Sequence, residues 1–258
     1  MKFISDENLK KHIAETIKSY GDNLKSFNLE RFNENIVDPI KLVFDKNVYG
    51  ATWEEIIKNE IFRQRDRSNT NSIGYFHQNI FQYISGCTVP KSGWDIIFEK
   101  AGGIEIEGCG KVSKIFVEMK NKHNTMNSSS SAKTYIRMQK QLLEDKDCVC
   151  FLVEVIAKKS QNIVWKVTVD GDKFDNKKIR RVSIDEFYKI VTGEDDAFYQ
   201  LCMILPKKIE ELLTDFKNLE IPNDTVFEEL KNNSSGKSFE LALYMLGFKS
   251  YLGFDKIM

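Results

Sequence analysis

Lys114-Ile115-Phe116-Val117-Glu118-Met119-Lys120 alternates in a way that decides how the rest of the chain is read. Ile115, Val117 and Met119 fall on one face of a strand, and Phe116, Glu118 and Lys120 on the other. An acid and a lysine therefore sit on a strand that is otherwise apolar. An ionised group in such surroundings costs several kcal/mol unless it is paired or binds a metal. Residues two apart on a strand lie about 6.6 Å from each other and point the same way. Glu118 and Lys120 thus project into one small space.

The same anomaly occurs just upstream. Trp94-Asp95-Ile96-Ile97-Phe98 is a short apolar strand that holds one acid, Asp95. Gly102, Gly103, Gly108 and Gly110 mark a turn-rich stretch between the two strands, so they read as hairpin partners. Asp95 then reaches the space of Glu118 and Lys120 from the neighbouring strand. Glu105 and Glu107 lack a lysine two residues on and read as the solvated edge of the hairpin.

Further outward, Asn121 to Ser130 is expected to be a loop leading to a helix capped near Ser131, with Tyr135, Met138 and Leu142 on its apolar face. Cys148 to Ile156 is apolar on both faces, the mark of a central buried strand. Ile163 to Val169 is a further strand. Ser183 to Val191 and Asp195 to Leu205 read as helices, Pro206 opens another at its first position, and Ser238 to Leu246 is a short last one. Before the strands the chain is helical, with Pro39 as a breaker. Thr52 opens a helix through a capping box with Glu55, expected to run to about Gln64. Arg65 to Asn71 reads as a polar loop, and Ser72 starts a second helix that Gly86 stops. This order predicts an α/β fold, a mixed central β-sheet flanked by helices. The expected organisation is one domain over 1–258. Residues 1–86 and 171–258 are mainly helical, and 87–170 form the sheet core.

Two carboxylates and an amine are what phosphodiester hydrolysis needs. Asp95 and Glu118 offer hard oxygen ligands to Mg²⁺, which takes few protein ligands and keeps several waters. The carbonyl of Met119, between the two side chains, is a third candidate ligand. Lys120 is placed to position the attacking water and to stabilise charge developing on phosphorus.

Composition narrows the partners. The formal net charge is zero, which argues against a globally basic, histone-like binder. Between Lys111 and Lys140, however, seven Lys/Arg stand against one acid, Glu118. No apolar run reaches the about 20 residues of a membrane span, and the polar start carries no signal-peptide core. A cytoplasmic location is the expectation. None of the five cysteines forms a CxxC pair, so zinc is not expected; Cys148 and Cys150 read as buried strand residues.

A longer match adds to this. The run Phe116-Val117-Glu118-Met119-Lys120-Asn121-Lys122-His123-Asn124-Thr125-Met126-Asn127-Ser128-Ser129-Ser130-Ser131, with Lys133-Thr134-Tyr135, resembles the catalytic segment of a family of bacterial type II restriction endonucleases that cut GG-N-CC. Pro90-Lys91-Ser92-Gly93-Trp94-Asp95 fits their upstream acidic motif. The matched motifs span about residues 90–140. The resemblance implies a PD-(D/E)xK restriction-endonuclease-like fold, Mg²⁺, palindromic double-stranded DNA, a homodimer with one active site per subunit, and a partner DNA methyltransferase that protects the host. The three catalytic positions show no departure from the pattern.

Other residues carry two readings each. Lys122, His123, Asn124 and Asn127 follow the strand as a DNA-contacting loop or as an ordinary solvated one. The serine run from Ser128 is flexible or phosphate-contacting. Lys133, Arg137 and Lys140 either track phosphates or are simply exposed. Arg63, Arg65 and Arg67 clamp DNA, or line a solvated loop. In resembling nucleases an acid from an upstream helix joins the metal site. Glu60 is the candidate here, since the cap already explains Glu55. Two rivals remain: a repair or junction-resolving nuclease with the same chemistry, and a catalytically silent DNA-binding module.

Overall fold

The computed structural model describes residues 1–169, 171–214, 222–234 and 238–249. The elements in chain order are α1 (Asp6–Asn23), α2 (Leu29–Glu34), α3 (Pro39–Tyr49), α4 (Trp53–Asn79), a 3-10 turn (Ile80–Tyr83), β1 (Cys87–Thr88), β2 (Ile96–Ile106) and β3 (Gly110–Lys122). Then follow α5 (Ser128–Glu144), β4 (Cys148–Ile156), β5 (Asn162–Val169), β6 (Asp172–Ser183), α6 (Ile184–Thr192), α7 (Ala197–Leu213), α8 (Val226–Asn233) and α9 (Phe239–Phe248). The chain divides into two compact units: Met1–Thr16 with Ile73–Asp215, and Ile17–Ser72 with Phe216–Met258. Among the described residues no helix is long and apolar enough to cross a membrane.

The first unit holds a mixed six-stranded sheet in the order β1-β2-β3-β4-β6-β5. β2 and β3 form an antiparallel hairpin, with an irregularity between Glu99 and Ile104. β3 pairs parallel to β4, which requires a crossover, and α5 supplies it. β4 pairs parallel to β6, and β6 antiparallel to β5. Because β4 lies in the middle, its first seven residues are buried on both faces, as its unbroken apolar run requires. On one face, Cys148, Cys150 and Leu152 pack with Phe116, Trp165 and Ile179 against Tyr135 and Met138 of α5. On the other face Phe151 meets Phe187 of α6, ring centroids 6.4 Å apart. Helices thus cover both faces, and the expected α/β sandwich is present.

The described elements of the second unit are helices. Its core joins Phe27, Phe32 and Leu42 with Ile56, Ile57 and Ile61 of α4 and with Val226, Leu230 and Leu243 of α8 and α9. Asp38 caps α3 through its side chain, so Pro39 starts that helix at a position where a missing N–H costs nothing. Thr52 and Glu55 make the reciprocal capping box: Thr52 N donates to Glu55 Oε2 at 2.8 Å, and Glu55 N to Thr52 Oγ1 at 3.3 Å.

Several expectations are corrected. Arg65 to Asn71 is not a loop: α4 runs unbroken from Trp53 to Asn79. The stretch contains no glycine or proline, and Ser68 and Ser72 donate their hydroxyls back to Gln64 O and Ser68 O, each at 3.1 Å. Its polarity belongs to an exposed helix face. Pro206 does not open a helix but lies inside α7. The missing amide bond is offset by anchors on either side: Leu201 is buried, and Lys208 pairs with Asp6 at 2.7 Å. The expectation of helix beyond residue 170 missed β6. Seven of its twelve residues are charged, which hid the buried Ile179 and Val182. The helix expected from Ser131 begins at Ser128, capped by Asn127. Gly86 does stop the preceding turn, at φ 83°, and a Cβ there would lie 2.6 Å from Glu99 O.

Candidate active site

The hairpin register delivers Asp95 to its neighbours. The last β2–β3 pair is Ile96 with Val117, and Asp95 N donates to Val117 O at 3.0 Å. Among the described residues the β2–β3 register ends at that pair. The amide of Met119 donates to Asp95 Oδ2 at 2.7 Å, so the carboxylate lies beside the backbone between Glu118 and Lys120. Gln78, near the end of α4, holds the Asp95 carbonyl at 3.2 Å. In a strand the N–H and C=O of one residue point to the same edge. The Met119 carbonyl therefore faces the side from which Asp95 approaches.

Glu118 and Lys120 share the α5 face of β3. Lys120 Nζ donates to Glu118 Oε1 at 2.7 Å, and Arg137 of α5 donates to Glu118 Oε2. Glu118 is nearly enclosed, its side chain 13% exposed, whereas that of Arg137 is 43% exposed. The Arg137 guanidinium lies 4.1 Å above the ring of Trp94, the residue before Asp95. Gln141, one turn further along α5, accepts the Trp94 indole N–H at 3.0 Å. Two carboxylates and two cations thus meet at one end of the sheet.

Burial, first of all, pushes the Asp95 carboxyl above the usual aspartate range. The Met119 amide opposes this, the charge of Glu118 adds to it, and Lys120 and Arg137 work against it. The repulsion from Glu118 means that the two carboxylates feel each other. That is the arrangement a divalent cation relieves. Among the described residues no three His, Cys, Asp or Glu side chains converge. Two carboxylates and a backbone carbonyl nevertheless fit a hard divalent cation, which takes oxygen ligands.

The loop after β3 is pinned from below. His123 N donates to Ile156 O at 3.1 Å, and Arg181 Nη2 donates to His123 O at 2.8 Å. Arg181 also pairs with Glu154, which is buried, lies on β4 and is the register partner of Lys120. Lys122, Asn124 and Lys133 are exposed. Asn127 caps α5 by accepting Ser130 N at 2.8 Å, and Ser128 is the first helical residue. The serine run is therefore a helix start.

The upstream candidates belong to the second unit. Glu60 is buried and accepts from Arg63 Nε at 2.6 Å, Arg63 Nη2 at 2.5 Å and Gln64 Nε2 at 3.2 Å. Arg65 makes a two-donor pair with Asp224, at 2.9 and 2.6 Å, beside the Phe27 ring. Arg67 is exposed on α4. Sequence reasoning offered Arg137 only as a phosphate-tracking or exposed residue, not as the partner of Glu118, and did not single out Trp94, Gln78 or the Glu154–Arg181 pair. For Arg137 the one available signal was its spacing of four from Lys133, opposite the apolar face of Tyr135 and Met138.

Residues 1–214 match the family model described as Eco47II restriction endonuclease. The chain is 29% identical over 219 residues to the type II restriction enzyme Sau96I of Staphylococcus aureus, covering 82% of this chain and 80% of that one. It is 26% identical over 224 residues to the type II restriction enzyme Eco47II of Escherichia coli, covering 83% of this chain and 89% of that one.

Proposed function

Because the chain belongs to the Eco47II restriction endonuclease family and is a type II site-specific deoxyribonuclease, we propose that its cutting centre is Asp95, Glu118 and Lys120 and that it hydrolyses double-stranded DNA with Mg²⁺. The products carry 5′-phosphates. The target is a short palindrome, GGNCC. That specificity rests on the resemblance of the Phe116–Tyr135 segment to enzymes that cut this site.

The observation that carries the reading is the bond from Met119 N to Asp95 Oδ2, which brings the aspartate to the 118/120 pair. Asp95, Glu118 and the Met119 carbonyl would hold the ion, which when bound would neutralise phosphate charge and acidify water. Lys120 orients the attacking water and stabilises charge developing on the phosphate. Its present bond to Glu118 keeps the ammonium inside the centre. Lys122, His123, Asn124 and Lys133 line the DNA path beside the centre, with Asn127 and Ser128 at the start of α5. Arg63 and Arg67 of α4 are further candidates for contact with DNA. Glu60, held by Arg63 and Gln64, acts as a strut in preference to a metal ligand; Arg65 does the same through Asp224.

One such centre cuts one strand, so the whole chain acts as one endonuclease domain paired with a second copy as a homodimer. It works in the cytoplasm, where a methyltransferase of the same specificity protects the host DNA.

The test is digestion of plasmid and phage DNA with and without Mg²⁺. Discrete fragments, ending at GGNCC and absent in EDTA, are expected. Asp95→Ala and Lys120→Ala should each abolish cutting, at a loss of about 10³-fold or more, while binding to a GGNCC duplex in Ca²⁺ persists. Binding lost in step with cutting would assign those residues a structural role instead.

A further inference from the structure

Both oxygens of Glu118 are already occupied, Oε1 by Lys120 and Oε2 by Arg137. A cation arriving at this carboxylate meets two positive charges. Arg137 differs from Lys120 in three respects. It comes from α5, not from β3. Its side chain is the more exposed, 43% against 32%. And its guanidinium carbon lies 4.1 Å over the Trp94 ring, a contact that does not consume its N–H donors. The platform itself is fixed, since Gln141 holds the Trp94 indole. The helix is fixed as well, since Tyr135 and Met138 on its other side are buried in the sheet core. The packing of α5 thus anchors the backbone at Arg137, while its side chain, 43% exposed, has room to change partners.

We propose that Arg137 is a phosphate ligand that exchanges partners. Without DNA it holds Glu118; with DNA bound it passes to a phosphate of the strand to be cut. A phosphodiester presents two non-bridging oxygens that share one negative charge, and the two-donor fork of a guanidinium matches them better than a lysine ammonium does. Loss of Arg137 from Glu118 frees Oε2 and removes one positive charge beside the carboxylate. Divalent ion and DNA then bind with positive coupling, and by linkage each raises the affinity for the other by the same factor. The protein without DNA discourages the ion, so the centre assembles on its substrate. This inference rests on the assignment of Asp95, Glu118 and Lys120 as the cutting centre.

The experiment measures Ca²⁺ affinity calorimetrically for the intact wild-type protein, Arg137→Ala and Arg137→Lys, with and without a GGNCC duplex. Wild type should bind Ca²⁺ about tenfold more tightly when DNA is present. Arg137→Ala should bind Ca²⁺ about tenfold more tightly than wild type in the absence of DNA, and gain little from adding it. Arg137→Lys keeps the charge but loses the fork, so it should keep the weak DNA-free affinity and show a reduced gain. It also serves if the alanine variant melts early. A wild type that neither cuts the duplex in Mg²⁺ nor binds it in Ca²⁺ would sink the assignment of the centre. A wild type that does both, alongside an Arg137→Ala protein with unchanged Ca²⁺ affinity and unchanged gain, would overturn only the role of Arg137.

Discussion

Replacing Arg181 by methionine keeps the aliphatic stem and deletes the guanidinium that Glu154 depends on. Glu154 is 1% exposed, its Oε1 accepts from Arg181, and its Oε2 is buried with no partner among the described residues. The variant would leave a carboxylate in the sheet with nothing to answer its charge. Removing one member of a buried ion pair costs about 3–5 kcal/mol. Arg181 is 28% exposed, so water can enter where it stood, and the lower end, about 3 kcal/mol, is expected. For a protein of this size that corresponds to a fall in melting temperature of about 6–12 °C. The His123 carbonyl loses its donor too, but it lies in a loop where water replaces the bond. Urea unfolding followed by tryptophan fluorescence would compare wild type, Arg181→Met, Glu154→Leu and the double variant. The double variant removes both charges together and should lie near wild type, giving a coupling of about 2 kcal/mol or more. A single-variant loss below about 0.5 kcal/mol would refute the reasoning, because it is what a solvated, unpaired surface charge would give.

Two further outcomes are expected from residues nearer the centre. Asp95→Asn should raise stability at neutral pH while abolishing cleavage. The carboxyl is pushed up by burial and by Glu118, so the folded protein holds its proton to higher pH than the unfolded chain. Stability is therefore lost as pH rises from the ordinary value of 3.8 through the raised one, and wild type carries the whole penalty at pH 7. The gain in melting temperature should shrink as pH falls through that window, and a gain that is constant with pH would contradict the cause given. Asn127→Ala removes the cap of α5 and should cost about 1 kcal/mol. If Asn127 only caps the helix, Asn127→Ser restores stability and cutting together; restored stability without restored cutting would give its side chain a DNA contact as well.

What could be read without coordinates was what depends on near neighbours in the chain. The alternation of Ile115, Val117 and Met119 with Phe116, Glu118 and Lys120 is local, as are the unbroken apolar run of β4 and the Thr52–Glu55 capping box. Each specifies a backbone period or a cap by itself. Polarity proved a poor guide to backbone state. Arg65 to Asn71 is helix, and β6 is a strand in spite of its charge, because burial of Ile179 and Val182 and pairing to β4 outweigh the composition of their neighbours.

The sequence by itself placed an acid and a lysine on one face of β3, because side chains two apart on a strand must point the same way. Only the tertiary structure brought Asp95 to the Met119 amide and Arg137 to Glu118. The first depends on the register of a hairpin with an irregularity in it, and the second on how far the α5 crossover carries its helix along the sheet. Both are set by long-range pairing and packing, which no spacing along the chain encodes.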